Sequence, residues 1–212
     1  VVVDSLDARG AARYDFTLTD VRSLGFIKVA PRFNFASVYY SRDQAGQENQ
    51  VGAVWGAGIG ANTAVTGTFR TGLGPLQAIR HVITPSAAFV YQPPQTNLLY
   101  RGTDGLFRPR FDGVSGISLS AAEVRRIDFS LRQDLHVKWG DPVHPHVINN
   151  LFQLQNNISY NELAKRSGAK PLSDMSRSLT FKPIDRSDFA FTFVHNPYDW
   201  KLLAFSASTG IA

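Results

Sequence analysis

Residues Arg125 to Trp139 read RRIDFSLRQDLHVKW. Ile127, Phe129, Leu131, Leu135, Val137 and Trp139 alternate with Asp128, Ser130, Arg132, Asp134, His136 and Lys138, and Gln133 is the one break. Successive side chains of a strand point to opposite faces, so this is a strand with one apolar face and one charged face. Ordinary strands run about 5–6 residues. Ile127 to Trp139 would extend about 40 Å at ~3.3 Å per residue. Tilted as membrane strands are, it still crosses an apolar band of about 25 Å. The segment reads as a transmembrane β-strand.

The composition fits that reading. The chain has 212 residues, a net charge of +5 and no cysteine. The length suits one large β-domain or part of a bigger one. Without cysteine there is neither a disulfide framework nor a thiolate metal site. The basic residues are scattered and no RNA-binding signature or basic helix accompanies them, so no nucleic-acid partner is expected. No stretch approaches the roughly 20 apolar residues of a membrane helix, a test that barrel strands escape because half their residues are polar. The start, VVVDSLDARG, and the end, SASTGIA, read as those of a piece of a longer protein.

Working outward, similar strands are expected at Arg13–Thr19, Phe26–Tyr40, Gln50–Asn62, Val65–Thr71 and Arg80–Tyr91, then at Leu151–Tyr160, Ser176–Lys182, Phe189–His195 and Lys201–Ile211. Val65–Thr71 is expected to pair with Gln50–Asn62. Gly74-Pro75 marks a turn. Pro31 removes a ladder donor and requires an edge or a bulge. Gln92–Ala122 reads as a long irregular loop and Asn161–Asp174 as a polar one. No amphipathic helix is expected, and loop lengths do not alternate cleanly on this reading. Tyr39, Tyr40, Tyr91, Trp139, Tyr160, Tyr198 and Trp200 fall at strand ends, as aromatic girdles do.

The expected fold is an all-β, antiparallel transmembrane β-barrel. About ten long strands of a larger barrel are present, with residues 1–212 forming part of one barrel domain. Alternation also suits a soluble, lipocalin-like barrel with its apolar face inside, or a generic porin. Strand length, charges of both signs on one face and an opposite face almost free of charge favour lipid outside and a polar lumen. The expected lumen wall comprises Lys28, Arg32, Asp128, Arg132, Asp134, His136 and Lys138. These residues either brace the wall as cross-strand pairs or line a path for an anionic solute.

No other motif carries chemistry. Gly56, Gly58 and Gly60 spell GxGxG, but no helix follows, so they serve a strand that bends or is closely approached. His144 and His146 lack a completing carboxylate cluster beside Asp141, so no metal is expected. No serine is marked as activated, so no enzyme activity and no cofactor are expected.

The most specific string is Arg80-His81-Val82-Ile83-Thr84-Pro85, a strand entry whose proline should sit at an edge or bulge. It resembles the RHVxTP segment of the LptD/OstA family, the outer-membrane lipopolysaccharide-assembly proteins. GFIKVAPRFNF, DLHVKWG, LFQLQNNISYN and VHNPYDWKLLAFSAST are similar to further strands of that family, in the same order. The resemblance covers the chain from about Gly25 onward. It implies a barrel in the outer membrane that receives lipopolysaccharide from periplasmic bridge proteins and releases it into the outer leaflet. It further implies an LptE-like lipoprotein plug, contact with outer-membrane lipid, and a periplasmic jelly-roll domain that is not present in this segment.

Overall fold

A computed structural model describes residues 8–17, 21–112, 114, 116–141, 143–184 and 187–211. Among them the chain is almost entirely β. The strands are β1 (Arg9–Thr17), β2 (Val21–Leu24), β3 (Ile27–Arg42), β4 (Glu48–Asn62), β5 (Val65–Leu73), β6 (Leu76–Gln92), β7 (Leu99–Arg101), β8 (Phe107–Pro109), β9 (Val124–Gly140), β10 (Pro145–Asn161), β11 (Met175–Ile184), β12 (Ser187–His195) and β13 (Leu202–Ile211). The strand order is β1-β3-β4-β6-β9-β10-β11-β12-β13, with β2 paired to β3 and β5 to β6. β7 and β8 form a separate hairpin. The path ends at β1 and β13. The described pairings are antiparallel.

Several expectations are corrected. β5 does not pair with β4; it pairs with β6, in register from Val65 opposite Ile83 to Leu73 opposite Leu76. β4 and β5 both line β6 and are separated only by Thr63 and Ala64, so β5 is the onward run of β4. The break lies opposite Pro85, whose carbonyl accepts the Thr63 N–H at 3.3 Å. The edge of Pro85 that faces β4 and β5 therefore lacks a donor, which interrupts the ladder there. The edge or bulge expected at Pro31 is opposite residues that lie outside the described ones, since the described pairing of β1 with β3 ends at Thr17 opposite Arg32. The Asp20 side of that junction lies outside the described residues.

Once β4 and β5 are one run, the connections alternate in length, contrary to the sequence reading. In chain order they are 25–26, 43–47, 74–75, 93–123, 141–144, 162–174, 185–186 and 196–201. Every first connection is short and every second is longer than the one before it. Gly74 takes φ +58°, which its lack of a Cβ allows, and closes one of the two-residue turns. β10 starts at Pro145, earlier than expected, because a bulge between Ile148 and Phe152 absorbs Asn149 and Asn150 without breaking the pairing to β9. The polar loop 162–174 begins with a short helix, α1 (Glu162–Arg166). Asn161 caps it by accepting the N–H groups of Leu163 and Ala164, and Glu162, Lys165 and Arg166 suit the ends of its dipole.

Two compact units share the chain. The first gathers the segments up to Val21, Ala30–Ile59 and Phe89–Arg125. Its core is Ala36, Val38, Tyr40, Val54, Leu98 and Phe111. The even-numbered side chains of β3 and β4 supply four of these, and the loop after β6 supplies Leu98 and Phe111. That loop is not irregular throughout. It contains a 3-10 turn (Thr96–Leu98), the β7–β8 hairpin and a bridge between Val114 and Ile117. Ile117, Leu119 and Ala121 pack on the same cluster. The opposite face of β3 and β4 exposes Phe33, Tyr39, Val51, Trp55 and Ile59, with Phe33 stacked on Trp55 and Trp55 edge-on to Tyr91. Tyr40 is thus not a girdle residue. It is 1% exposed, at the centre of the core.

Phe111 fits because β4 has a glycine beneath it. A Cβ on Gly52 would stand 2.5 Å from the Phe111 ring. The same lane continues at Gly56 and Gly58, where a Cβ would meet Asn34 and Arg32 side chains and the carbonyls of Tyr91 and Phe89. At Gly56 and Gly58 the GxGxG string thus serves close approach, as its strand setting suggests.

The second unit gathers Arg22–Val29, Gly60–Ala88 and Arg126–Ala212. Most of β9 and all of β10–β13 lie in it, and its register places side chains in rows across five strands. Leu135, Phe152, Phe181 and Phe189 form one apolar row, in which Phe152 stacks on Phe181 at 4.6 Å and Phe181 on Phe189 at 6.2 Å.

Candidate functional site: a graded polar wall

The other face of β9–β13 is polar. One row reads Arg132, Gln155, Ser178, Thr192, Ser206, and the next Asp134, Gln153, Thr180, Ala190, Ser208. The chemistry changes stepwise along each row, from charges on β9 to amides on β10 and to hydroxyl and small side chains beyond. The strict alternation of each strand sets this up, since a one-residue slip would turn every row inside out.

The β9 charges satisfy one another. Arg132 Nε donates to Asp134 at 2.8 Å. With its amide oxygen turned toward the guanidinium, Gln153 accepts a further bond from Arg132 at 2.8 Å. Arg126 pairs with Asp128 at 2.8 Å, and Asp128 also accepts the Ser159 hydroxyl at 2.6 Å. His136 Nδ1 accepts the Asn150 N–H at the bulge. Lys138 has no ion pair among the described residues. Gln155 donates to Asn157, and Ser178 meets Thr192 at 3.4 Å. Asp134 is buried, and a carboxylate there requires the partners it has.

Of the seven residues expected to form a lumen wall, Asp128, Arg132, Asp134, His136 and Lys138 share one strand face. Lys28 and Arg32 are not brought into that group. Lys28 is exposed on the second unit's part of β3, and Arg32 belongs to the first unit, where it lies over Gly58. Sequence reading missed Gln153, Gln155, Asn157 and Ser159 as wall residues, although their alternation with Phe152, Leu154, Ile158 and Tyr160 was visible.

The Arg80–Pro85 string runs along β6. Arg80 is exposed and sits opposite Thr68. Pro85 borders a shallow apolar groove of about 310 Å³, lined by Ile27, Ala61, Thr63, Pro85, Ala87 and Phe129. The groove follows from the ladder break, since the interrupted β4–β5 run leaves space that Ala61 and Ala87 are too small to fill. Among the described residues no group of three or more His, Asp and Glu could hold a metal ion. Among the described residues no helix is long and apolar enough to cross a membrane.

A family model described as LptD protein matches residues 12–198. The chain belongs to the LptD family. No curated protein matches it. Proteins of the LptD family act in lipopolysaccharide transport and assembly at the outer membrane and are not enzymes, which agrees with an all-β chain whose strands carry two contrasting faces. The Arg80–Pro85 string, GFIKVAPRFNF, DLHVKWG and LFQLQNNISYN fall within the matched residues, while VHNPYDWKLLAFSAST begins within them and runs on beyond residue 198.

Proposed function

We propose that the chain forms part of the wall of an outer-membrane β-barrel that moves lipopolysaccharide from the periplasmic side and inserts it into the outer leaflet. The observation that carries this is the two-faced sheet β9–β13, with aromatic rows on one side and the graded polar rows on the other, in a member of the LptD family. In the barrel the aromatic rows face lipid and the polar rows face the lumen. The alternating connections support one sidedness for this barrel. Short turns mark the periplasmic end, and 43–47, 93–123, 162–174 and 196–201 mark the extracellular end.

Lipopolysaccharide arrives from periplasmic bridge proteins through a domain outside this segment. An LptE-like lipoprotein occupies the lumen, and strands outside this segment close the barrel. No cofactor enters and no bond is made or broken. Within the wall, Arg126, Asp128, Arg132 and Asp134 brace the sheet, because each already has a partner of opposite charge. Lys138, which has no ion pair among the described residues, faces the cargo with His136 and the amides. In the full-length protein, replacing Lys138 with Gln then lowers lipopolysaccharide export several-fold. Surface lipopolysaccharide would be measured beside the heat-modifiable mobility of the folded barrel. A folded variant with normal surface lipopolysaccharide would remove this lysine from the path.

A further inference from the structure

The apolar face of β9–β13, which carries neutral polar side chains at Gln133 and Thr209, is interrupted by a charge at Arg177. The row Leu131, Asn156, Arg177, Phe193, Phe205 carries an amide and a guanidinium between its hydrophobic members. Arg177 Nε donates to Asn156 Oδ1 at 2.9 Å, and among the described residues no ion pair involves Arg177. One row further toward the strand end lie Met175, His195 and Leu202. His195 stacks on Phe193 with ring centroids 6.3 Å apart, and its Nδ1 is buried without a hydrogen-bond partner. Tyr198 stands at the same end, its hydroxyl accepting the Leu172 N–H and its ring under the Lys170 ammonium at 4.8 Å.

A lone cation on such a face is costly in hydrocarbon, by about 2–4 kcal/mol at mid-bilayer, falling to roughly 0–1 near the interface. Arg177 is two residues from the start of β11, next to the long connections 162–174 and 196–201, which is the interfacial position. Asn156 takes only Nε and so fixes the plane of the guanidinium, while the terminal nitrogens keep their donors. A planar fork with free donors matches a phosphate group. Phe193, Phe205 and Leu179 offer apolar surface alongside for acyl chains.

The geometry points to a binding site on the outside of the sheet, in which Arg177, oriented by Asn156 and flanked by His195, takes the phosphate of an anionic lipid headgroup. The inference rests on the reading that this face meets lipid, but not on the transport role of the polar wall. Lipid at this site is retained on the protein rather than carried through it.

The test uses the full-length protein in nanodiscs of phosphatidylcholine mixed with either phosphatidic acid or diacylglycerol, which differ by the phosphate. Co-purifying lipid is counted by native mass spectrometry. Wild-type protein should retain phosphatidic acid and not diacylglycerol. Arg177→Gln should lower that retention about tenfold, the scale of one charge-assisted hydrogen bond. Arg177→Lys, which keeps the charge and loses the fork, should fall between and keeps the test open if the Gln variant does not fold. Equal retention of the two lipids, or an Arg177→Gln variant that holds phosphatidic acid as wild type does, would overturn the site while leaving the barrel reading intact. Inorganic phosphate displacing the lipid at equal concentration would overturn the headgroup as occupant. Protein that stays soluble without detergent would remove the membrane reading and this site together.

Discussion

The two units handle the same kind of strand face in opposite ways. In the first, the even-numbered side chains of β3 and β4 are sealed by the loop after β6, and the seal is apolar: Phe111 in the gap above Gly52, Leu98 beside Val38 and Tyr40. Its polar fastenings include three at carboxylates. Tyr40 donates to the Asp112 carboxylate at 2.5 Å, Arg9 reaches the same carboxylate at 3.1 Å, and Arg110 approaches the fully buried Asp43 carboxylate at 3.4 Å. In the second unit the polar face of β9–β13 is covered by nothing described, and its order comes from ion pairs and amides held at fixed register. The comparison teaches that alternation specifies two faces but not how a face is finished. Apolar side chains on a loop close one face, and paired charges leave the other open to water.

The largest expected effect breaks the seal alone. Phe111→Ala removes a buried ring and should destabilise the packing of the loop by about 3–5 kcal/mol. Hydrogen exchange should speed up across residues 95–121 and stay unchanged in β10–β13. Acceleration in both units would mean that they are not separate in stability. A smaller effect tests the open wall. Asp134→Ala leaves Arg132 with Gln153 alone. Because Arg132 is 46% exposed, the loss should be about 1–2 kcal/mol rather than the figure for a fully buried pair, read as a shift in unfolding midpoint. Arg132→Met with Asp134→Leu should recover part of it.

The smallest effect is a pH dependence confined to the seal. The Tyr40 hydroxyl bond, assisted by Arg9, holds the Asp112 carboxyl below its ordinary value of 3.8. A carboxyl lowered on folding contributes stability that is full above its unfolded value and is lost as pH falls through the folded one. Proteolysis of residues 95–121 should therefore rise only below about pH 3.8, and Asp112→Asn should abolish that rise.

Much of this was legible in the residues. The strict alternation from Ile127 to Trp139 gave β9 and its charged face, and the proline of the Arg80–Pro85 string marked a true interruption of the ladder. The helix at Glu162 was signalled by Asn161 ahead of a Glu-to-Arg run, but five residues are too few for periodicity to show. The seal was not legible, because Leu98 and Phe111 are isolated apolar residues in a loop. Their seats arise only when β3 and β4 are in register and Gly52 opens a space. The alternation of connections was hidden for a related reason. Val65–Thr71 looks like a hairpin partner of the preceding strand until Pro85 is seen to interrupt a single run. Arg177 could have been noticed as a charge at an apolar position, but its partner Asn156 comes from another strand.

The pairing of Arg132 has a kinetic consequence. A guanidinium whose charge is already balanced by Asp134 gains less from a further anion than an unpaired one, and hydroxyl rows like those beyond it offer a ligand only single weak bonds that water replaces readily. A surface of this kind has short residence times at every point along it, since dissociation rather than encounter sets how long a ligand stays. On the proposed transport role a large glycolipid would have to keep moving over this face, and weak, interchangeable footholds suit that better than one tight site.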